Sequence, residues 1–139
     1  MRDLSPEEIE AFLGEEIVGR IGCRDDEGLY VVPVIFAYAD GAAHVLTVEG
    51  RKVRAMRANP DVVLEADRYD EATGSWRSVI AWGRFEELEG ADAEAARTLV
   101  AKRFEERTGR RREGPRGGGE PFVAFRVVVG DRTGRDVSR

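Results

Sequence analysis

Hydrophobic and polar positions follow two different periods along this chain. Near its start, apolar residues recur three and four apart, as on one face of a helix: Leu4, Ile9, Phe12 and Leu13. The preceding stretch Ser5-Pro-Glu-Glu8 supplies a capping serine, a proline suited to the first helical position and the glutamate of a capping box. The sequence therefore predicts a short helix that ends at Gly14.

From residue 17 onward, the pattern changes to strand-like segments separated by turns. Leu29–Tyr38 is rich in β-branched and aromatic residues and is apolar on both faces, so we expect both faces to be covered. Asp40-Gly41 is the strongest hairpin signal in the chain. Further strands are predicted over residues 17–23, 43–48, 61–69, 76–88 (with a bend at Gly83) and 121–129, with a turn over 131–134.

Two later segments return to helical spacing. Residues 50–59 form a short basic helix that Asn59-Pro60 stops, and residues 91–107 form the clearest predicted helix. One side of that second helix carries Ala95, Ala96, Leu99, Val100, Arg103 and Phe104. The basic, glycine-rich segment after it, at about residues 108–120, is predicted to be a flexible loop.

These elements together predict a mainly β fold with short helices. About six strands are joined mostly by hairpin-like turns, so the sheet should be mainly antiparallel. A closed or split β-barrel is the natural way for so short a chain to hide its sheet edges. The length of 139 residues fits one domain, residues 1–139.

Composition and charge narrow the class of protein. Hydrophobic residues make up 42% and charged residues 35%, which is typical of soluble globular proteins. The net charge of −5 argues against nucleic-acid binding, and no apolar run reaches the ~20 residues of a membrane-spanning helix. The acidic start lacks the apolar stretch of a secretory signal, and the single cysteine, Cys23, closes no intrachain disulfide. We therefore expect a cytoplasmic protein with no membrane partner.

The most informative chemical pattern follows the strand that ends at Thr47. Gly50 allows a tight turn, and the next helix opens with Arg51 and Lys52. Free N–H groups at a helix start favour an anion, and an arginine can grip a phosphate with two parallel donors. The stretch suits a phosphate monoester, although Arg51 and Lys52 are equally well explained as surface charges of a soluble helix.

Two strand segments offer weaker signals. Pro33 cannot donate to a sheet ladder, so it marks an edge, a bulge or a strand opening where backbone groups could face a flat heteroaromatic ligand. Taken alone, a plain edge strand is the simpler interpretation. The row Trp76, Ser78, Ile80 and Trp82 shares one strand face and could line a cofactor slot, the core or a subunit interface.

Other reactive residues give little support for a different chemistry. His44 is the only histidine, which leaves no Ser/His/Asp triad and no cluster with metal-ligand spacing, so no metal is predicted. Such a lone histidine is more often a surface or core residue than a ligand. Arg110–Arg112 could contact phosphates or an acidic partner, but a charged loop is the simpler interpretation.

The ordered set of segments resembles the pyridoxamine 5'-phosphate oxidase-like family of FMN-binding split β-barrels. The similarity covers nearly the whole chain, and no single motif carries it. Its segments are Leu4–Leu13, Val18–Gly22, Tyr30–Phe36, Thr47–Lys52 followed by Asn59–Leu64, Ser78–Arg84, and Phe125–Val129 with Thr133–Arg135.

The resemblance implies a homodimer with FMN bound at the subunit interface. Thr47, Arg51 and Lys52 would hold the FMN phosphate. The backbone around Val32, Pro33 and Val34 would lie along the isoalloxazine ring. Ser78 would occupy the place of a polar residue that reaches the flavin, with Arg126 or Arg135 as candidate partner-chain contacts.

Two departures from the family pattern limit the expected activity. No basic and aromatic substrate-phosphate motif follows Phe125, so oxidation of vitamin B6 is not expected. His44 lies upstream of the position at which a nitroimidazole-reductase-like branch has its histidine.

Several functions therefore stay open at this stage. The leading hypothesis is an FMN-dependent oxidoreductase that moves hydride or electrons between a reduced donor, such as NAD(P)H, and an unidentified small molecule. The alternatives are a deazaflavin-dependent reductase, a non-enzymatic flavin- or haem-binding dimer, and a dimerising barrel without a cofactor.

Overall fold

A computed structural model describes residues 1–112 and 122–138. Within these residues the helices are α1 (Pro6–Glu15), α2 (Arg51–Ala58) and α3 (Gly90–Thr108). The strands are β1 (Arg2–Asp3), β2 (Val18–Asp25), β3 (Gly28–Ile35), β4 (Ala37–Ala39), β5 (Ala42–Val48), β6 (Asp61–Tyr69), β7 (Trp76–Leu88) and β8 (Phe122–Val137).

All of these strands belong to a single antiparallel sheet with the order β3-β2-β6-β7-β8-β5-β4, and β1 pairs with β8. Strands β3 and β4 lie at opposite ends of this order, yet Phe36 alone separates them in the chain. The sheet must therefore curl until its two ends meet. Because the described residues show no ladder between β3 and β4, the fold is a split barrel rather than a closed one. The predicted mainly β, antiparallel split barrel is confirmed.

The strand count is eight rather than about six, in part because one predicted strand is divided. Leu29–Tyr38 breaks at Phe36, whose ring is fully buried and whose N–H donates to the Ile17 carbonyl at 2.9 Å. The chain passes there from one end of the sheet to the other. The short strand β1, which no pattern predicted, adds the remaining difference.

The predicted turn over residues 131–134 is wrong, because β8 continues through it to Val137. The long strand β7 offers ladder partners to both halves of β8: residues 76–81 pair with 132–137, and residues 83–88 pair with 124–129. A continuous partner outweighs a local Asp-Arg-Thr-Gly turn signal. Gly134 also packs against Leu4, which fixes the last part of β8 under the N-terminal segment.

The N-terminal helix begins as its capping box predicts. The Glu8 N–H donates to Ser5 Oγ at 3.2 Å, and the Ser5 N–H donates to Glu8 Oε1 at 3.0 Å. The helix does not stop at Gly14 but runs to Glu15, where the Glu16 N–H still bonds to the Phe12 carbonyl. The flank of the helix that carries Phe12 is thereby held over the barrel.

Two groups of buried side chains hold the fold together. The main core fills the barrel under α1 and α2 and includes Phe12, Ile21, Phe36, Met56, Leu64 and Phe125. A second cluster lies between α3 and the sheet and includes Leu46, Leu88, Ala96, Val100 and Ala124. Each large side chain removed from water contributes about 1.5–3 kcal/mol, so these contacts dominate the stability.

The expectation that both faces of Leu29–Tyr38 are covered is wrong within one chain. Leu29 is 89% exposed and Val31 is 67% exposed. The ladders of β2, β6 and β7 place them on the same side of the sheet as the predicted aromatic row. We call this surface the outer apolar face: Leu29, Val31, Trp76, Ile80 and Trp82.

Most of the predicted loop at residues 108–120 lies outside the described residues, which resume at β8. In the described part, α3 ends at Thr108, and Gly109 closes it with a φ of 71°. No helix in residues 1–112 and 122–138 is long and apolar enough to cross a membrane.

Candidate functional site

A cavity of about 300 Å³ lies where β3, the end of β5 and the start of α2 meet. Four of the predicted site residues line it: Pro33, Val34, Thr47 and Lys52. Its remaining lining residues are Val18, Ile35, Val45, Leu46 and Arg112. The fold therefore joins the predicted phosphate-binding stretch to the predicted ring-binding strand, although 13 positions separate Val34 from Thr47 in the chain.

The strand-to-helix turn places Thr47 and Lys52 at this cavity. Thr47 is buried near the end of β5 and pairs with Val123, so the position of its backbone is fixed by the sheet. Gly50 precedes α2 and provides no side-chain cap. The first N–H groups of α2 thus carry the partial positive charge of a helix start beside Lys52.

Lys52 and Arg112 are both half-buried, and neither has a hydrogen bond or ion pair within the described residues. Burial lowers the pKa of Lys52 and likewise the pKa of Arg112. Several arginines elsewhere on the molecule have carboxylate partners; Arg57, for example, bridges Glu49 and Glu87. Two partly desolvated cations without a counter-ion make this cavity a favourable place for an anion.

The structure places Arg51 outside this cavity. Its guanidinium donates to both carboxylate oxygens of Asp25, at 2.7 and 3.1 Å, and lies 4.3 Å from the centre of the Tyr30 ring. The hydrogen bond with Asp25 raises the pKa of Arg51, and the same bond lowers the pKa of Asp25. In this conformation Arg51 clamps α2 to the β2–β3 hairpin.

Val32 and Ser78 also lie away from the cavity in a single chain. Val32 packs against the main core from β3, opposite Ile21. Ser78 lies on β7 between Asp67 and Arg135, on the outer side of the sheet. One chain therefore brings four of the predicted residues to the cavity, Pro33, Val34, Thr47 and Lys52, but not Val32, Arg51 or Ser78.

His44 lies on β5, away from the cavity. Its Nδ1 is 3.2 Å from the Ala37 carbonyl oxygen, and burial lowers the pKa of the imidazole. The sequence also left the role of Arg110–Arg112 open, and the structure places these three arginines differently. Arg110 and Arg111 are exposed, whereas Arg112 reaches the cavity.

Sequence reasoning treated Arg112 as part of a charged loop and did not select it. No spacing or neighbouring residue distinguishes it from Arg110 and Arg111 in the sequence. Its position depends on α3, which returns the chain across the end of the sheet before Arg112. Only the packing of α3 against β5 and β8 decides which of the three arginines meets Lys52.

Comparison with known proteins now identifies the family. The model of the pyridoxamine 5'-phosphate oxidase family matches residues 5–135. The chain belongs to this family. The match spans α1 to the last part of β8 and includes all the described residues that line the cavity.

Two solved structures and one further relative are similar to this chain. A FAD-binding protein from Mesorhizobium loti has a TM-score of 0.81 and 31% identity, over 99% of this chain and 97% of that one. A Corynebacterium glutamicum protein, provisionally assigned as a pyridoxamine 5'-phosphate oxidase, has a TM-score of 0.76 and 27% identity, over 99% and 98% of the two chains. An uncharacterized protein of Rhizobium meliloti is 30% identical over 63% of this chain, a match that spans 58% of that protein's length.

Proposed function

We propose that this chain is an FMN-binding oxidoreductase that holds the cofactor's phosphate in the cavity at Thr47 and Lys52. The observation that carries the proposal is the half-buried Lys52, which faces a cavity beside Thr47 without any carboxylate partner in the described residues. Family membership and the similarity to a FAD-binding protein support a flavin.

The donors around the cavity fit a phosphate group. The Thr47 hydroxyl, the Lys52 ammonium and the start of α2 can all donate to its oxygens. Leaving a desolvated ammonium without a partner costs free energy, and a bound phosphate would remove that cost. At about 300 Å³ the cavity is at the lower end of the usual range for ligand pockets, so one chain supplies only part of the site.

The strand that carries Pro33 and Val34 is suited to a flat ring. β3 is the end strand of the sheet, so its outward backbone groups have no ladder partner in the described residues. Pro33 contributes no N–H and thereby leaves the edge open to a ligand instead of to another strand. We propose that the backbone around Val32, Pro33 and Val34 orients the ring and keeps water from one side of it.

Bound FMN would supply the hydride or electron transfer, while the protein supplies binding, orientation and the electrostatic environment. We propose a reduced nicotinamide as the electron donor and a small molecule as the acceptor.

We propose a cytoplasmic location, with which the single, buried Cys23 agrees.

We also propose that two copies pair through the outer apolar face. A cavity of about 820 Å³ opens on this face and is lined mainly by apolar groups, among them Leu29, Val31 and Trp82. Exposed apolar surface of this kind marks an interaction site. Val18 lines the Lys52 cavity and is 44% exposed. We propose that a second copy completes the site at this exposed margin of the cavity.

The decisive experiment is an absorption spectrum of the purified protein, followed by mass analysis of whatever is released on denaturation. We expect a yellow protein that releases FMN and whose visible bands bleach when NADH or NADPH is added. If the protein released FAD or a deazaflavin instead, the proposed identity of the cofactor as FMN would be wrong. A colourless protein that does not bind any of these cofactors when they are added would overturn it.

A matched pair of variants tests the residue that carries the proposal. Lys52→Ala should weaken FMN binding by about 10- to 100-fold, because a charge-assisted hydrogen bond is lost. Arg54→Ala removes one positive charge from the exposed side of the same helix and should leave the dissociation constant within about twofold. Equal losses in the two variants would show that Lys52 acts only through the general charge of α2.

A further inference from the structure

We propose that Arg112 is a specificity-determining residue that makes this cavity selective for a doubly charged phosphate monoester. The inference rests on the proposed function and deepens it, because it states which charge state of the ligand the site prefers. Arg112 follows α3 and lines the same cavity as Lys52, although the two residues lie far apart in the sequence.

The first step of the argument is charge balance. Among the described residues, Lys52 and Arg112 are the two charged ones that line the cavity, and the other described lining residues are uncharged. Both are half-buried and unpaired within the described residues. An anion with two negative charges neutralises the cavity, whereas a singly charged anion leaves one desolvated cation without a partner.

The second step concerns the flavins themselves. FMN ends in a phosphate monoester, which carries two charges above its second pKa of about 6. FAD also carries two charges, but they are divided between the two phosphates of its pyrophosphate, so the phosphate beside its ribityl chain would bring only one of them into the cavity. Riboflavin has no phosphate. Charge matching therefore ranks the three ligands in the order FMN, FAD, riboflavin, and Arg112 provides the second positive charge on which that order depends.

The third step is geometry. An arginine can bind a phosphate through two parallel N–H groups, while a lysine presents a single ammonium. Arg112 thus adds direction as well as charge, and it comes from a different segment of the chain than Thr47 and Lys52. Arg111 is exposed and lines no part of the cavity, so it provides a control of identical chemistry one position away.

The test compares FMN, FAD and riboflavin binding to the cofactor-free protein by calorimetry at pH 7.5. We expect Arg112→Ala to weaken FMN by about 10- to 100-fold and riboflavin by less than about threefold, so that the preference for FMN collapses. Arg111→Ala should leave all three constants unchanged. Arg112→Lys, which keeps the charge, should retain most of the preference and serves as the decisive variant if the alanine protein does not fold.

A pH series gives a readout that a merely structural role would not move. FMN affinity of the unchanged protein should rise as the phosphate loses its second proton between about pH 5.5 and 7. Arg112→Ala should flatten that rise. If the unchanged protein binds FMN but Arg112→Ala keeps both the FMN preference and the pH dependence, Arg112 has no such role and the proposed function stands. If the unchanged protein binds no flavin, both proposals fail.

Discussion

At the scale of single residues, the partner of a charge decides its role. Arg51 and Lys52 are neighbours at the start of one helix and look equivalent in the sequence. Asp25 engages Arg51 through two hydrogen bonds, which makes Arg51 a structural clamp, while Lys52 lines a cavity and has no partner among the described residues. The same distinction separates Arg112 from the two exposed arginines before it.

Glu65 shows the reverse situation, a carboxyl group that is disfavoured as an anion. Burial, followed by the hydrogen bond and the charge of neighbouring Asp67, raises the pKa of Glu65 to about 7. Arg20 lies 3.2 Å from both carboxylates and offsets only part of this effect. Because the folded state binds this proton more tightly than the unfolded chain, the stabilising contribution is present below about pH 4.5 and is lost as the pH rises to 7.

We therefore predict that Glu65→Gln flattens the pH dependence of stability. The free energy of unfolding of the unchanged protein should fall between about pH 5 and 8, and the variant should lack this part of the fall. At pH 8 the variant should be more stable by about 1–2 kcal/mol, after allowance for solvent screening at a partly exposed group. Urea unfolding at several pH values measures it, with Glu94→Gln on the exposed side of α3 as the control. Parallel curves for the Glu65 variant and the unchanged protein would refute the prediction.

At the scale of elements, β7 depends on a glycine where its register shifts. The ladder between β7 and β8 is interrupted between Ala81 and Gly83. A Cβ atom at Gly83 would lie 2.7 Å from the Val128 carbonyl oxygen and 2.6 Å from Val127 Cγ1. The backbone of β8 cannot yield without loss of its ladder, so this position requires glycine for close approach rather than for φ.

Gly83→Ala should therefore lower the free energy of unfolding by about 1–3 kcal/mol, through overpacking against β8. Gly14→Ala is its matched control, because nothing lies within 4 Å of the added methyl group on α1. That variant should be neutral or stabilise the protein by up to about 1 kcal/mol, since alanine favours the helix. Equal melting temperatures for the two variants would contradict the close approach at Gly83.

At the scale of the whole molecule, a group of large apolar side chains is exposed on one face of the part of the chain that the structure describes. Trp76 is 42% exposed and Trp82 is 48% exposed, on the same face as Leu29 and Val31. A standard interface buries about 800 Å² on each partner. A twofold pairing would use the same surface on both copies.

Val31→Arg should then convert a dimer into a monomer, because each copy would place an unpaired arginine in an apolar interface. Sedimentation velocity at micromolar concentration measures the change. Ala101→Arg, on the exposed side of α3, introduces the same side chain away from that face and should leave the dimer intact. A monomeric unchanged protein, or a Val31→Arg variant that still forms the dimer, would rule out this interface.

The parts of the fold that could be predicted from the sequence are those that neighbouring residues determine. The strands 61–69 and 76–88 and the hairpin at Asp40-Gly41 were confirmed, because alternation and turn residues determine them locally. Asp40 and Gly41 both have positive φ, 53° and 75°, as a tight two-residue hairpin requires. The division at Phe36 and the continuation of β8 were not predicted, since they depend on pairing with distant strands.

The candidate site likewise has a part that neighbouring residues determine and a part that only the tertiary structure decides. The sequence alone determined that a strand end, a glycine turn and a basic helix start follow one another, because each depends on residues a few positions apart. Tertiary structure decided that Lys52 faces the cavity, that Asp25 holds Arg51 away from it and that Arg112 approaches from beyond α3. The side-chain partner of a charge depends on which distant backbone the folded sheet brings beside it, and that information is not contained in any local pattern.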